Sequence, residues 1–296
     1  MNDEVKVLLD TDIGSDIDDA FALAYLLKEP RCKLMGITTV SGEADKRSEM
    51  CSVVCGNAGR DDIPIHTGCD HALLVELYQK QAQQAVALGA WTHRNFTAEN
   101  TAIEFLRSTI RANPGEITLF AIGPMTNIGV LFATDPELPA LVKDVVLMCG
   151  KFYEAGGEWN AFNDPHATAI TYGNGPQRKP ARHVSYGLDV TLKCVWSAAE
   201  CRARFRDIPV LAPVRDFAEV WFERAPHVTF HDPLAAVSIF HPEICQYETG
   251  EVRVSLAEPT LGWTVFNRRD NGPHTVAKTV DVPLFFETFV NTLKRS

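Results

Sequence analysis

The sequence predicts an α/β fold: one domain over residues 1–296, with a mostly parallel central sheet flanked by helices and an irregular C-terminal part. Three observations predict it. Short apolar runs alternate with helical patterns over the first two-thirds of the chain, as in a parallel sheet covered on both faces. No Gly/Ser-rich linker, low-complexity tract or internal repeat divides the 296 residues. The composition, 46% hydrophobic and 22% charged, allows burial of a full-sized core.

The first strand is the apolar run Val5–Leu9, which ends in Asp10-Thr11-Asp12. From about Asp18 the period becomes helical, with Phe21, Leu23, Ala24 and Leu27 apolar and Pro30 beyond the end. Leu34–Val40 reads as the second strand, followed by a polar loop and a helix through Met50–Val54. Thr101-Ala102-Ile103-Glu104 has the form of a capping box, and its helix should stop at Asn113-Pro114-Gly115. A strand at Ile117–Ile122, the turn Gly123-Pro124 and a helix from about Asn127 come next, then strands at Val145–Cys149 and His183–Val190. The last third carries helical patterns at Phe217–Glu223 and Leu234–Ile239 and short strand-like runs at Val252–Leu256 and Gly262–Phe266. In such sheets ligands bind beyond the carboxyl ends of the strands, which places Asp10, Asp12, Ile122 and Gly150 at the functional edge.

The charge balance narrows the function classes. With 28 Lys+Arg against 38 Asp+Glu the net charge is −10, so no basic face is expected for nucleic acid or an anionic membrane. Met1-Asn2-Asp3-Glu4 is acidic where a secretory signal is basic, and no apolar run approaches membrane-spanning length. Eight cysteines form no CxxC pair. Cys51 and Cys55 read as small buried hydrophobes, so a cytoplasmic protein with free thiols is expected.

Chemistry concentrates in Asp10–Asp19, where five carboxylates fall within ten residues. Asp18 and Asp19, at the start of a helix, are favoured by its macrodipole. That leaves Asp10 and Asp12 at the end of an apolar strand, where like charges repel unless a cation intervenes. A hard divalent cation held by oxygen answers that need. Haloacid-dehalogenase-type phosphatases also start with Asp-x-Asp, but they need Thr or Val where this chain has Gly14. The pattern Asp-Thr-Asp-x-Gly…Asp-Asp-Ala, Asp10 to Ala20, instead resembles the nucleoside hydrolases, the inosine-uridine-preferring N-ribohydrolase family. Ser15-Asp16-Ile17 lengthens the loop relative to the common motif. Either Asp16 or Asp18 could take the first Asp's role, and Asp18 is chosen because Asp18-Asp19-Ala20 matches the motif's end.

Further segments carry the resemblance in order. Ile37–Gly42 is similar to the family's second strand and loop, and Ala121–Asn127 to its metal-binding turn, in which a backbone carbonyl is the ligand. Glu158-Trp159-Asn160 with Asp164-Pro165 resembles Glu-Phe-Asn…Asp-Pro. Phe230-His231-Asp232-Pro233 resembles the late His-Asp-Pro, and Gly262–Val265 the C-terminal Gly-Met-Thr-Val. The resemblance implies a calcium-dependent hydrolase of ribonucleosides, with Ca²⁺ held by Asp12, Asp19, Asp232 and the Ile122 carbonyl. It implies Asp12 as the base acting on water, and Asp18, Glu158 and Asn160 on the sugar hydroxyls. His231 would protonate the leaving base, since imidazole titrates near working pH. A homo-oligomer, dimer or tetramer, acting on a small-molecule nucleoside or riboside is implied as well. Read without the resemblance, Asp164-Pro165 is a helix cap, and Asp232-Pro233 has the same form. His66, His71 and His93 read as surface or packing residues.

Three departures bear on substrate. Glu43 stands where the family offers an Asn to the sugar, and Gly89–Arg94 replaces a His-Gly…Gly segment. The Asn that often precedes Glu-Phe-Asn has no counterpart in 151–157. Hydrolysis of a non-standard riboside, or ribose binding without catalysis, therefore stands beside the main reading.

Overall fold

The first strand, β1 (Val5–Thr11), alternates its apolar side chains between two buried layers: Val7 and Leu9 face one, Leu8 the other. A strand covered on both faces has no polar side, which is why its sequence is almost unbroken hydrophobic. The computed structural model describes residues 4–175 and 181–295. Met1–Asp3 of the acidic N-terminus lie outside them.

The chain then runs through α1 (Asp18–Lys28), β2 (Cys32–Thr39), α2 (Ala44–Asn57), β3 (Ile65–Thr67), α3 (Ala102–Ala112), β4 (Ile117–Ala121), α4 (Thr126–Thr134) and β5 (Asp144–Met148). Next come α5 (Trp159–Asn163), α6 (Pro165–Thr171), β6 (His183–Tyr186), α7 (Leu188–Thr191), β7 (Val195–Ser197), α8 (Ala198–Phe205) and α9 (Ala212–Phe222). The remaining elements are β8 (His227–Thr229), α10 (His231–Phe240), β9 (Cys245–Val254), β10 (Thr264–Arg268), β11 (His274–Val280) and α11 (Val282–Leu293).

Nine strands form one sheet in the order β10-β9-β11-β6-β5-β4-β1-β2-β3, and β7 and β8 pair apart from it. Its pairs are parallel from β3 to β11; β9 and β10 close one edge antiparallel. After β1 the chain builds outward through β2 and β3, then returns to place β4 on the other side of β1. That reversal opens a crevice at the carboxyl ends of β1 and β4. One layer holds α1, α2, α10 and α11 around Phe21, Phe205, Phe230, Phe285 and Phe289. The other holds α3, α4 and α6 around Leu106, Ile128 and Phe132. Truncating one of these buried rings to Ala would cost about 3–5 kcal/mol.

Several expectations are corrected. The capping box at Thr101–Glu104 is not formed: Thr101 precedes α3 without a side-chain cap bond, and its hydroxyl meets His66 Nδ1 at 2.9 Å. The strand expected over His183–Val190 ends at Tyr186. Gly187 passes so close to the next strand's loop that a Cβ there would lie 2.7 Å from the Gly150 carbonyl, and α7 follows at once. Asp232 is not a helix cap, since α10 already begins at His231. Asp164 is one, accepting from Ala167 N at 3.0 Å. Its other oxygen accepts from Leu73 N and Thr126 Oγ1, both at 2.9 Å, which joins three segments.

Candidate active site

The crevice is a cleft of about 330 Å³ lined by Asp12, Asp16, Asp18, Asp19, Glu158 and Asp232, together with Ile122, Met148, Asn160, Leu188 and His231 and with Gln79, Trp159, Trp221 and Arg224. Every residue to which the resemblance gave a catalytic, metal or sugar role lines this cleft, whereas Asp10 and Gly150, expected at the same edge, do not. A cleft of this size suits a small organic ligand.

Each wall has its own origin. Asp12 follows β1, and Asp18 and Asp19 open α1. Ile122 follows β4, its N–H bonded to the Asp10 carbonyl at 2.9 Å. Gly123 lets this turn close against the acidic loop, because a Cβ there would lie 2.9 Å from Asp12 Oδ1. Asp232 arrives from the far end of the chain on the first turn of α10, and its N–H donates to Asp18 Oδ2 at 3.0 Å.

Carboxylate oxygens of Asp18, Asp19 and Asp232 lie within 4.8 Å of one another, and all three residues are buried. Burial, compounded by mutual repulsion, pushes each of them well above the usual carboxylate range. Burial also raises Asp12 and Asp16 to about 6. Such a group of oxygens is high in energy without a counter-charge, and an all-oxygen donor set fits a hard divalent cation. Asp12 lines the same wall outside this close triple, with Oδ2 accepting from Gln79 Nε2 at 3.3 Å. Asp10 lies behind it. Its Oδ1 accepts from Thr38 Oγ1 and Asn127 Nδ2, its Oδ2 has no hydrogen-bond partner among the described residues, and burial lifts it to about 7. Asp10 does not line the cleft, so its role is in the frame of the site.

Two of the three sugar candidates, Glu158 and Asn160, are fixed from within. Glu158 caps α5, taking Asn160 N at 2.8 Å on one oxygen and Gly150 N and Ala161 N, both at 3.0 Å, on the other. Asn160 Nδ2 donates to the carbonyls of Ile122 at 2.7 Å and Met148 at 3.0 Å, tying β4 to β5 at the cleft floor. Its Oδ1 has no hydrogen-bond partner among the described residues and is the atom left for a ligand. A carbonyl has two lone pairs, so the Ile122 oxygen can serve Asn160 and a cation together.

His231 Nδ1 lies 2.7 Å from Thr191 Oγ1. Burial lowers the ring to about 4, so it is neutral at physiological pH, contrary to the sequence-based expectation of titration near working pH. In the tautomer that has Thr191 donating to Nδ1, the ring's one proton sits on Nε2. His93 and Tyr153 line no part of the cleft; His93 Nδ1 meets the Arg94 carbonyl and Tyr153 donates to Glu248.

The departures also find places. Glu43 turns its carboxylate to Ala82 N at 2.9 Å and to Lys46, away from the cleft. The segment around Gln79–Gln84 packs over the lengthened acidic loop: Gln84 bonds the Gly14 and Ser15 carbonyls, and Ser15 Oγ donates to the Gln81 carbonyl. Sequence reasoning missed Gln79, Thr191, Trp221, Arg224 and the buried Arg47. None of them stands in a motif, and each reaches the site only through tertiary packing.

Residues 7–287 match the family described as inosine-uridine preferring nucleoside hydrolase. The chain is 28% identical to a probable uridine nucleosidase 2 of Oryza sativa subsp. japonica, covering 95% of this chain and 90% of that protein. It is 27% identical to an inosine-uridine preferring nucleoside hydrolase of Crithidia fasciculata, covering 96% and 94%. The solved structure of a plant nucleoside hydrolase, the PpNRh1 enzyme, superposes with a TM-score of 0.82 at 27% identity over 99% of both chains. An acidic crevice at the sheet's reversal point, together with a match over nearly the full length, gives the assignment: the chain belongs to the inosine-uridine preferring nucleoside hydrolase family, enzymes that hydrolyse N-ribosidic bonds.

Proposed function

We propose that this single domain is a calcium-dependent nucleoside N-ribohydrolase that releases ribose and a free base, with Asp12, Asp19, Asp232 and the Ile122 carbonyl holding the Ca²⁺. The observation that carries this reading is the convergence of buried carboxylates of Asp18, Asp19 and Asp232 within 4.8 Å in the cleft, with Asp12 lining the same cleft beside them. A Ca²⁺ ion takes roughly 6–8 oxygens, and when bound it supplies acidification of a water and a fixed seat for vicinal hydroxyls.

The chain's own residues do the rest. Asp12, oriented by Gln79, accepts a proton from the attacking water. Asp18, Glu158 and Asn160 hold the sugar hydroxyls and so orient the anomeric carbon. The carboxylates around the sugar favour the positive charge that develops on it as the bond breaks. His231, its tautomer set by Thr191, delivers a proton to the departing base. The substrate is a small nucleoside, and we place the protein in the cytoplasm as a dimer or tetramer serving purine or pyrimidine salvage. Its eight free cysteines support that compartment. Among the described residues no helix is long and apolar enough to cross a membrane.

A second reading, hydrolysis of a riboside outside the common nucleosides, is favoured by Glu43, whose carboxylate is committed to Ala82 and Lys46. The test is incubation with purine and pyrimidine nucleosides and assay of free ribose and base. Release from at least one of them supports the main reading. Release only from other ribosides supports the second, and release from none with retained ribose binding means a binding protein.

A further inference from the structure

Arg47 lies in the first turn of α2 and is completely buried, with no exposed surface. A guanidinium taken out of water costs several kcal/mol unless it is paired. No carboxylate among the described residues holds this one directly. Its Nε donates to the Gly42 carbonyl at 3.0 Å, and one terminal nitrogen to the Gln81 carbonyl at 3.2 Å. The other terminal nitrogen donates to the carbonyls of Asp12 and Ile13, the latter at 2.9 Å, and to Ser15 Oγ at 2.9 Å.

Three of these five bonds therefore end on one short stretch, Asp12–Ser15, from which the chain rises to Asp18 and Asp19. The guanidinium also attracts Asp12 and Asp19 through space. A charge placed only to fill the core would be matched to a carboxylate. This one is matched to the backbone of the acidic loop, on the side away from the cleft.

We propose that Arg47 is a positioning residue that ties Asp12–Ser15 to the Gln81 segment, so that the loop's carboxylates stand arrayed for a divalent cation before it arrives. The inference rests on the calcium reading above. It also explains how a loop longer than the family's common form is held: Arg47 and the Gln79–Gln84 segment together cover its back. Lysine cannot replace Arg47, because its single ammonium lacks the planar fork that spans these acceptors.

The test is calorimetric titration of Ca²⁺ into the chelator-stripped full chain, for the parent, R47K and S15A, with thermal midpoints in chelator and in calcium. Loss of an outer-shell partner costs about 10–100-fold in metal affinity, and that is the weakening expected for R47K. S15A, which removes one acceptor of the guanidinium and the Ser15–Gln81 bond while leaving the guanidinium and its other four bonds, should weaken binding less than R47K. In R47K, kcat at saturating calcium should recover while the calcium concentration needed for activity rises.

A calcium Kd in R47K within about twofold of the parent overturns the proposal, since outer-shell roles cost more than that. So does a midpoint lowered equally with and without calcium at unchanged Kd, which marks a purely structural arginine. If R47K does not fold, an unchanged Kd in S15A overturns it. Failure of the parent itself to bind calcium overturns the metal reading and this inference with it, and is read before any variant is compared.

Discussion

His231 and Asp12 act on different bonds in the proposed chemistry, so their variants should part company on substrates that differ only in leaving group. An unactivated base leaves poorly as an anion, and loss of a positioned proton donor costs about 10²–10⁴-fold. His231→Ala should lose that much in kcat/KM on a nucleoside and little on a p-nitrophenyl riboside, whose leaving group is stable unprotonated. Asp12→Ala should damage both, since each needs the water. Equal losses on the two substrates in His231→Ala would mean that the ring positions the sugar or the metal site instead. The residues brought together at the cleft were legible in the sequence where they sit in contiguous motifs, as Asp18-Asp19 and His231-Asp232 do. Thr191, Gln79 and Arg47 were not, because their partners lie 40, 67 and 35 residues away and no local pattern records such pairs.

Between elements, the join that matters most is α4 against the ends of β1 and β2. Asn127, fully buried at the start of α4, donates through Nδ2 to Asp10 Oδ1 at 2.7 Å and to the Thr39 carbonyl at 2.9 Å. Its Oδ1 accepts from Cys69 N at 2.9 Å. Asn127→Ala removes all three of these hydrogen bonds, leaving Asp10 Oδ1 with Thr38 alone and the Cys69 N–H without this acceptor, so urea unfolding should show a loss of about 2–4 kcal/mol. A loss below about 1 kcal/mol would show that water or relaxation replaces these bonds. The parallel strands themselves were legible because burial on both faces leaves continuous apolar runs. Thr101 was misread because its hydroxyl prefers His66, 35 residues away, to its own helix. No strand was read at His274–Val280 and no helix at Val282–Leu293. β11 is a mixed strand, pairing parallel with β6 and antiparallel with β9, and its mostly alternating residues give no continuous run.

At the scale of the whole molecule, stability should depend on two histidines that join the parallel sheet to its antiparallel edge. His274 on β11 pairs in register with His183 on β6, their rings 4.5 Å apart. His274 Nδ1 accepts from Val252 N at 2.7 Å, and Nε2 donates to the Tyr172 carbonyl at 3.0 Å, so both nitrogens are committed in the neutral form. Burial lowers His274 from 6.5 to about 4 and drives His183 well down, the second ring adding to the effect. Glu251 and Arg269 act on His274 in opposite directions. Because the folded value lies below the unfolded one, the contribution is complete above about pH 6.5 and is lost as the pH falls towards 4. For His274 it is on the order of 3 kcal/mol. His274→Gln can keep both hydrogen bonds without titrating, so its stability should fall less than the parent's between pH 6.5 and 4. Parallel profiles would show that the acid loss arises elsewhere.

The proposed function rests on one cation gathered by oxygens from well-separated parts of the chain. Its most direct test is elemental analysis of the purified protein, as isolated and after dialysis against calcium. The expected result is about one Ca²⁺ per chain, as an all-oxygen site with charged ligands requires, reduced or lost in Asp19→Asn and Asp232→Asn. Zinc in that stoichiometry, or no bound metal after calcium dialysis, would contradict it.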